Sequence, residues 1–189
     1  VLRCHFVRCS VAGLRVESFN ALDWWIWDST FEDCRVGASN SPGAGHFHVY
    51  RCLFRRSTES DILIANSAKY ISFRNNTSIE SKAFFTASGL NVAAGVTIQG
   101  NTIVDPQDRT PIRNDNLGAV LLLDNVLRSR ADVTFGPVVA VRDNLLSVGN
   151  IFSVSSPIQC PGRATFLDDK VVARDSLDFE VPEMPDTLP

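Results

Sequence analysis

Apolar and polar positions along the chain recur in one short pattern. An apolar residue is followed by two variable ones, a small polar or sulfur-bearing one, another variable one and a second apolar one. The segments are Val1–Phe6, Ile26–Phe31, Val49–Phe54, Phe73–Ser78, Ile98–Ile103, Leu122–Leu127 and Ser147–Phe152, with serine replacing the apolar residue at positions 78 and 147. The fourth position of each is an anchor: Cys4, Ser29, Cys52, Asn76, Asn101, Asn125 and Asn150, spaced by 25, 23, 24, 25, 24 and 25 residues. A fixed period of this length marks a repeat architecture. Around the anchors the chain alternates with period 2, as in Phe47-His48-Val49-Tyr50, and β-branched and aromatic residues predominate. Helical periodicity and a leucine-rich frame are both absent. Each period predicts two short strands around the anchor and a third about ten residues later, as at Asp61–Ile64 and Ala83–Thr86. Three strands per turn, stacked in register, make an all-β parallel β-helix, a single-stranded solenoid of about seven coils of about 24 residues.

Stacked coils pair at about 4.8 Å, so equivalent residues form columns. Inward-pointing Asn76, Asn101, Asn125 and Asn150 are expected to bridge backbone groups of successive coils, with Cys4, Ser29 and Cys52 continuing the column. Asn76-Thr77-Ser78 has the form of a glycosylation sequon but falls on this ladder. Two positions on, Phe6, Phe31, Phe54, Ile103, Leu127 and Phe152 give an apolar stack that only Ser78 breaks. Charges line up as well. Arg3, Asp28 and Arg51 precede successive anchors, and Arg8, Asp33, Arg56 and Glu80 follow them by four residues, as stacked surface pairs would.

Composition narrows the function classes. With 189 residues, 44% of them apolar, and a formal charge of −3, the chain fills a core and lacks the basic footprint of a nucleic-acid binder. Its longest unbroken apolar run, Ala119–Leu123, is far too short to span a membrane as a helix. After Val154 the repeat fades into a proline-bearing stretch. The domain reading is therefore residues 1–154 as solenoid and 155–189 as a C-terminal cap and extended tail. VLRCHF already reads as strand in mid-coil, so an upstream segment or another chain is expected to cover that end. Cys9 and Cys34 lie five residues after adjacent anchors, close enough for a bridge or for two stacked thiols. No Cys/His zinc spacing occurs.

The segments around Asn76, Asn101, Asn125 and Asn150, each closing a short turn between strands, resemble the right-handed parallel β-helix proteins of the pectate lyase-like superfamily. That resemblance implies a right-handed coil, a secreted or cell-surface location and a carbohydrate-active protein, a lyase or hydrolase acting on an acidic polysaccharide. It also implies a cleft on the outer face of the first strand of each coil and the loops before it. With Val36, Ile62, Phe84 and Ile112 inward, Asp61, Arg113 and Arg35 would face that cleft, with Lys82 in a preceding loop. Arg35, Lys82 and Arg113 could neutralise a uronate carboxylate and Asp61 could act as acid or base. The paired acids of the galacturonan hydrolases and the dense acidic cluster of the calcium-dependent lyases are missing, so no cofactor is expected and calcium is not indicated.

A second outer face carries Trp25 and Trp27, then His48 and Tyr50, then Ser72 and Arg74 on successive coils. Three readings stay open for it: cover by a loop, a second chain or a missing segment; stacking of a sugar on Trp25, Trp27, His48 and Tyr50 beside Arg74; or a metal site at Asp23, His46 and His48. Trp25, Trp27, His48, Tyr50 and Arg74 are taken as the candidate substrate-binding residues, with no metal ligand. The alternative to a carbohydrate-active protein is a non-catalytic β-helix module for binding or assembly, of the adhesin or tailspike kind, as a homo-oligomer or joined to further coils.

Overall fold

A computed structural model describes residues 1–17, 21–40, 44–65, 70–87, 95–129, 137–154 and 157–172. Among these residues there is no helix, and every strand pair is parallel, joining a strand to its equivalent one coil away. The chain is a parallel β-solenoid with three sheets. The anchor sheet holds eight strands: β1 (His5–Val7), β4 (Thr30–Glu32), β7 (Leu53–Arg55), β10 (Thr77–Ile79), β13 (Thr102–Val104), β16 (Val126–Arg128), β19 (Ile151–Phe152) and β22 (Lys170–Val171). A second sheet holds β2 (Leu14–Val16), β5 (Val36–Asn40), β8 (Ser60–Ile64), β11 (Phe85–Ala87), β14 (Ile112–Asn114), β17 (Val139–Val141) and β20 (Ile158–Gln159). The long sheet holds β3 (Ala21–Trp27), β6 (Ala44–Tyr50), β9 (Tyr70–Arg74), β12 (Gly95–Gln99), β15 (Ala119–Leu123), β18 (Asn144–Val148) and β21 (Ala164–Leu167).

The core is a set of columns. Phe6, Phe31 and Phe54 stack face to face, with centroids 4.9 and 4.8 Å apart, and Ile103, Leu127 and Phe152 continue the same register. Gly37 packs against this stack, where a Cβ would sit 2.6 Å from the Phe54 ring. Beside it runs the asparagine ladder. Asn101 Nδ2 donates to Phe73 O (3.0 Å) and to Asn125 Oδ1 (2.9 Å), while Asn101 Oδ1 accepts from the backbone N–H and Nδ2 of Asn76, both at 2.9 Å. Asn125 repeats this toward Asn150. Below, Cys52 N–H donates to Asn76 Oδ1 (3.0 Å), and Cys4 N–H to Ser29 Oγ (3.1 Å). Each amide thus satisfies two coils at once.

The charged columns turn out to be the corners. The residue before each anchor (Arg3, Asp28, Arg51, Asn75, Gly100, Asp124, Gly149, Asp168) has φ between 48° and 67°, and so do Arg8, Asp33, Arg56, Glu80 and Asp105 one corner later, at 51–54°. Glycine at position 149 also makes room, since a Cβ there would meet Asp124 Oδ1 at 2.6 Å. Arg51 clamps Asp28 through two bonds of 2.7 and 3.0 Å, and Arg56 clamps Asp33 in the same way. These guanidinium bonds hold both aspartates below their usual range.

Strand pairing runs past Val154. β20, β21 and β22 pair with β17, β18 and β19, and Asp169 takes the next anchor position after only 19 residues, accepting from the N–H and Nδ2 of Asn150 at 2.8 Å each. Of the cap and tail expected at residues 155–189, positions 155–156 and 173–189 lie outside the described residues. Cys9 and Cys34 are free thiols, and burial pushes the Cys34 thiol up to about 11.

Candidate functional site

The long strands alternate strictly, so their outward residues stack into rows. Trp25, His48, Ser72, Thr97 and Leu121 form one, and Trp27, Tyr50, Arg74, Gln99 and Leu123 the next. Trp25 meets the His48 ring at 4.3 Å and the edges of Trp27 and Tyr50 at 5.5 and 5.4 Å, while Trp27 lies parallel to Tyr50 at 6.5 Å. The Arg74 guanidinium sits 5.8 Å from the Tyr50 ring. Trp25 and Trp27 remain 40% and 38% exposed, an unusual amount of open indole for a single face. Along this face runs a groove of about 610 Å³, from Asp23 and Trp25 past Ser72 to Thr97 and Leu121; Trp27 flanks it.

The groove is polar at one end and apolar at the other. At the polar end, buried Ser72 is its floor: His48 Nδ1 and the Tyr50 hydroxyl each lie 2.7 Å from Ser72 Oγ. His48 Nε2 faces Asp23 Oδ1 at 3.5 Å, and His46 stands edge-on to the exposed Tyr70 ring at 4.8 Å. Burial holds the His48 imidazole below its usual range; Asp23 opposes this, while His46 and Arg74 add to it. The ring is therefore uncharged at neutral pH. The arrangement offers flat aromatic surfaces, one guanidinium, and nitrogen and oxygen lone pairs within reach of a groove occupant.

The other expected residues do not converge. Arg35 is paired with Glu59 at 2.8 Å beside a hollow of about 200 Å³, and Arg113 with Asp115 at 2.8 Å beside a separate one of about 370 Å³. Lys82 is exposed and lines neither. Asp61, expected outside, has no exposed surface at all, and Phe85 is equally buried.

The reason is a break in alternation where the chain enters the second sheet. Glu59 and Ser60 N–H both donate to Arg35 O, and Phe84 and Phe85 N–H both donate to Pro111 O, a bulge-like sharing that shifts which residues point in. The inward column is Ala38, Ile62, Phe85, Ile112 and Val139. Asp61 turns inward at the bend, where Ser78 Oγ donates to its Oδ2 and its Oδ1 has no hydrogen-bond partner. Burial pushes this carboxyl up to about 7, opposed by Ser78 and by the nearby hydroxyls of Ser81 and Ser57.

Tyr70 is the residue that sequence reasoning did not attach to this face. The signal was available, because Tyr70 has the same parity as Ser72 and Arg74 on β9. No protein-family model, no curated protein and no solved structure matches this chain.

Proposed function

We propose that this protein is a saccharide-binding β-solenoid that holds an acidic polysaccharide along the outer groove of the long sheet. The observation that carries the reading is the aromatic cluster of exposed Trp25 and Trp27 with half-buried Tyr50 beside the Arg74 guanidinium, set along a groove of about 610 Å³. Sugar rings present apolar C–H faces that stack on aromatic planes, and a guanidinium pairs with a carboxylate in two-pronged fashion. The five rungs from Trp25 to Leu121 span roughly 19 Å at the coil rise, a length suited to a chain more than to a single sugar. Glycoside hydrolysis by the two-carboxylate route finds little support in this groove, whose lining includes one acid, Asp23. Elimination from a uronate needs a cation and a base, and Arg74 and the histidines are groups of those kinds.

Calorimetric titration with polygalacturonate, alginate and a neutral glucan tests the reading. Wild type is expected to bind the uronates. The Trp25→Ala/Trp27→Ala pair is expected to lose at least tenfold in affinity, and Arg74→Ala to lose the preference for uronate over neutral glucan. Absorbance of unsaturated products would add lyase activity to binding. No uptake of any of the three polymers by folded wild type overturns the proposal.

One observation favours a second reading, an assembly module. The apolar end of the groove leaves Leu121 36% exposed. A second copy seated there would appear in sedimentation as a dimer that Leu121→Glu dissociates.

A further inference from the structure

Parallel register brings three metal-ligating side chains together at the polar end of the groove. Asp23 and His46 are direct ladder partners on β3 and β6, and His48 follows His46 by two residues on the same face. Their ligand atoms all lie within 4.8 Å of one another, and His48 Nε2 is 3.5 Å from Asp23 Oδ1. A tetrahedral ion with bonds of about 2.1 Å separates its donors by roughly 3.4 Å, so one edge of the tetrahedron already has its length. Rotation of exposed Asp23 and half-buried His46 about their side-chain torsions closes the others.

Outer contacts orient the histidines. With its proton on Nδ1, His48 donates to Ser72 Oγ at 2.7 Å, and this turns the Nε2 lone pair toward Asp23; the Tyr50 hydroxyl, also 2.7 Å from Ser72 Oγ, holds that serine. Metal-binding histidines are held by such second partners. The His46 ring is steadied edge-on by Tyr70.

We propose that Asp23, His46 and His48 bind one divalent transition-metal ion, with zinc as the representative species and an open position facing the groove. Two imidazoles and one carboxylate suit ions of the zinc class, while calcium and magnesium take oxygen shells. The inference reaches beyond saccharide binding and does not depend on it. The open position takes water, or a hydroxyl or carboxylate oxygen of whatever lies in the groove.

Cobalt(II), titrated into tag-free protein and followed by absorbance, tests it. The expected result is one equivalent bound, with the intense visible bands of a four- or five-coordinate ion, abolished by one equivalent of zinc and untouched by calcium. His46→Ala and His48→Ala each weaken binding by about 100-fold, Ser72→Ala by about tenfold, and His5→Ala leaves it unchanged. In wild type alone, and so independent of any variant's folding, cobalt broadens the ring resonances of His46 and His48 and spares His5. The pale spectrum of the six-coordinate free ion, equal broadening of all three histidines, or unchanged affinity in folded His46→Ala and His48→Ala overturns the proposal. Polyuronate binding measured with chelator present keeps the two readings apart: it survives loss of the metal site, and the metal site survives failure of every polysaccharide.

Discussion

Two of the places where the solenoid buries polar side chains behave in opposite ways. In the asparagine ladder, Asn76, Asn101 and Asn125 each use one oxygen and one amide nitrogen to serve the coil below and the coil above, and the repeat hands the arrangement on. At Asp61, a single carboxyl enters the core with one bond from Ser78, and both its Oδ1 and the Ser57 hydroxyl are left without partners. A periodic polar group finds its complement in its own copy one coil away. A solitary one must recruit from whatever happens to be near, and incomplete recruitment raises its cost.

Interrupting the ladder is the harshest way to break this contrast. Asn101→Ala removes the partner of Phe73 O and of two Asn76 groups, one a backbone N–H, all inside the core. Two or three stranded polar groups at about 1–3 kcal/mol each predict a loss of roughly 4 kcal/mol in denaturant unfolding. The loss should not depend on salt or on pH between 4 and 8, because no charge is involved. A loss below 1 kcal/mol would mean that the ladder is not a shared support.

The two places also differ in how far they can be read from residues alone. The ladder is legible because it is arithmetic: seven anchors at near-constant spacing need no knowledge of packing. The outward rows of the long sheet are legible for the same reason, since β3 to β12 alternate without interruption and parity carries Trp25 to His48 and Ser72. Asp61 is not legible, because the shared carbonyl bonds at the entry to the second sheet interrupt the alternation, so that the consecutive residues Asp61 and Ile62 are both buried. A trace of it is visible. Ser78 is the one polar break in the Phe6 to Phe152 column, but the group it serves lies 17 residues away on a different sheet. Asp169 escapes notice because its coil is 19 residues long instead of about 24. The meeting of Asp23 with His46 and His48 is legible in position, but the 2.7 Å link through Ser72 to Tyr50 needs coordinates.

The pH dependence of stability sharpens the contrast next, with an effect that reaches the size of the first only above about pH 7. The Asp61 carboxyl titrates near 7 when folded and near 3.8 in an unfolded chain. Below about pH 4 both states hold the proton. Between about 4 and 7 only the unfolded chain releases it, so the folded state loses about 1.4 kcal/mol per pH unit, and above 7 the loss is complete. Asp28 and Asp33, held low by Arg51 and Arg56, contribute in the opposite direction at acid pH. The decisive quantity is therefore the difference between wild type and Asp61→Asn. That difference should shift in favour of the variant by up to about 4 kcal/mol from pH 4 to pH 8. A pH-independent difference would mean that Asp61 is ionised in the core. Ser78→Ala, which strands Oδ2 as well, should cost about 1–3 kcal/mol at pH 7 and less at pH 4.

The corner columns supply the mildest case. Asp28 is paired with Arg51 through two bonds in the same stacked geometry as the ladder, but at the surface, where water can replace either partner. Asp28→Asn keeps a side chain that tolerates the left-handed backbone found there, φ 48°, and removes only the charge. The expected loss is about 0.2–1 kcal/mol at low ionic strength, shrinking toward zero in 1 M salt and absent below the pH at which Asp28 takes up its proton. Stacking by itself would then be worth little. What makes the asparagine column strong is that nothing but the next coil can satisfy it. A salt-insensitive loss at Asp28 as large as that at Asn101 would remove the distinction and assign the stability of the solenoid to register alone.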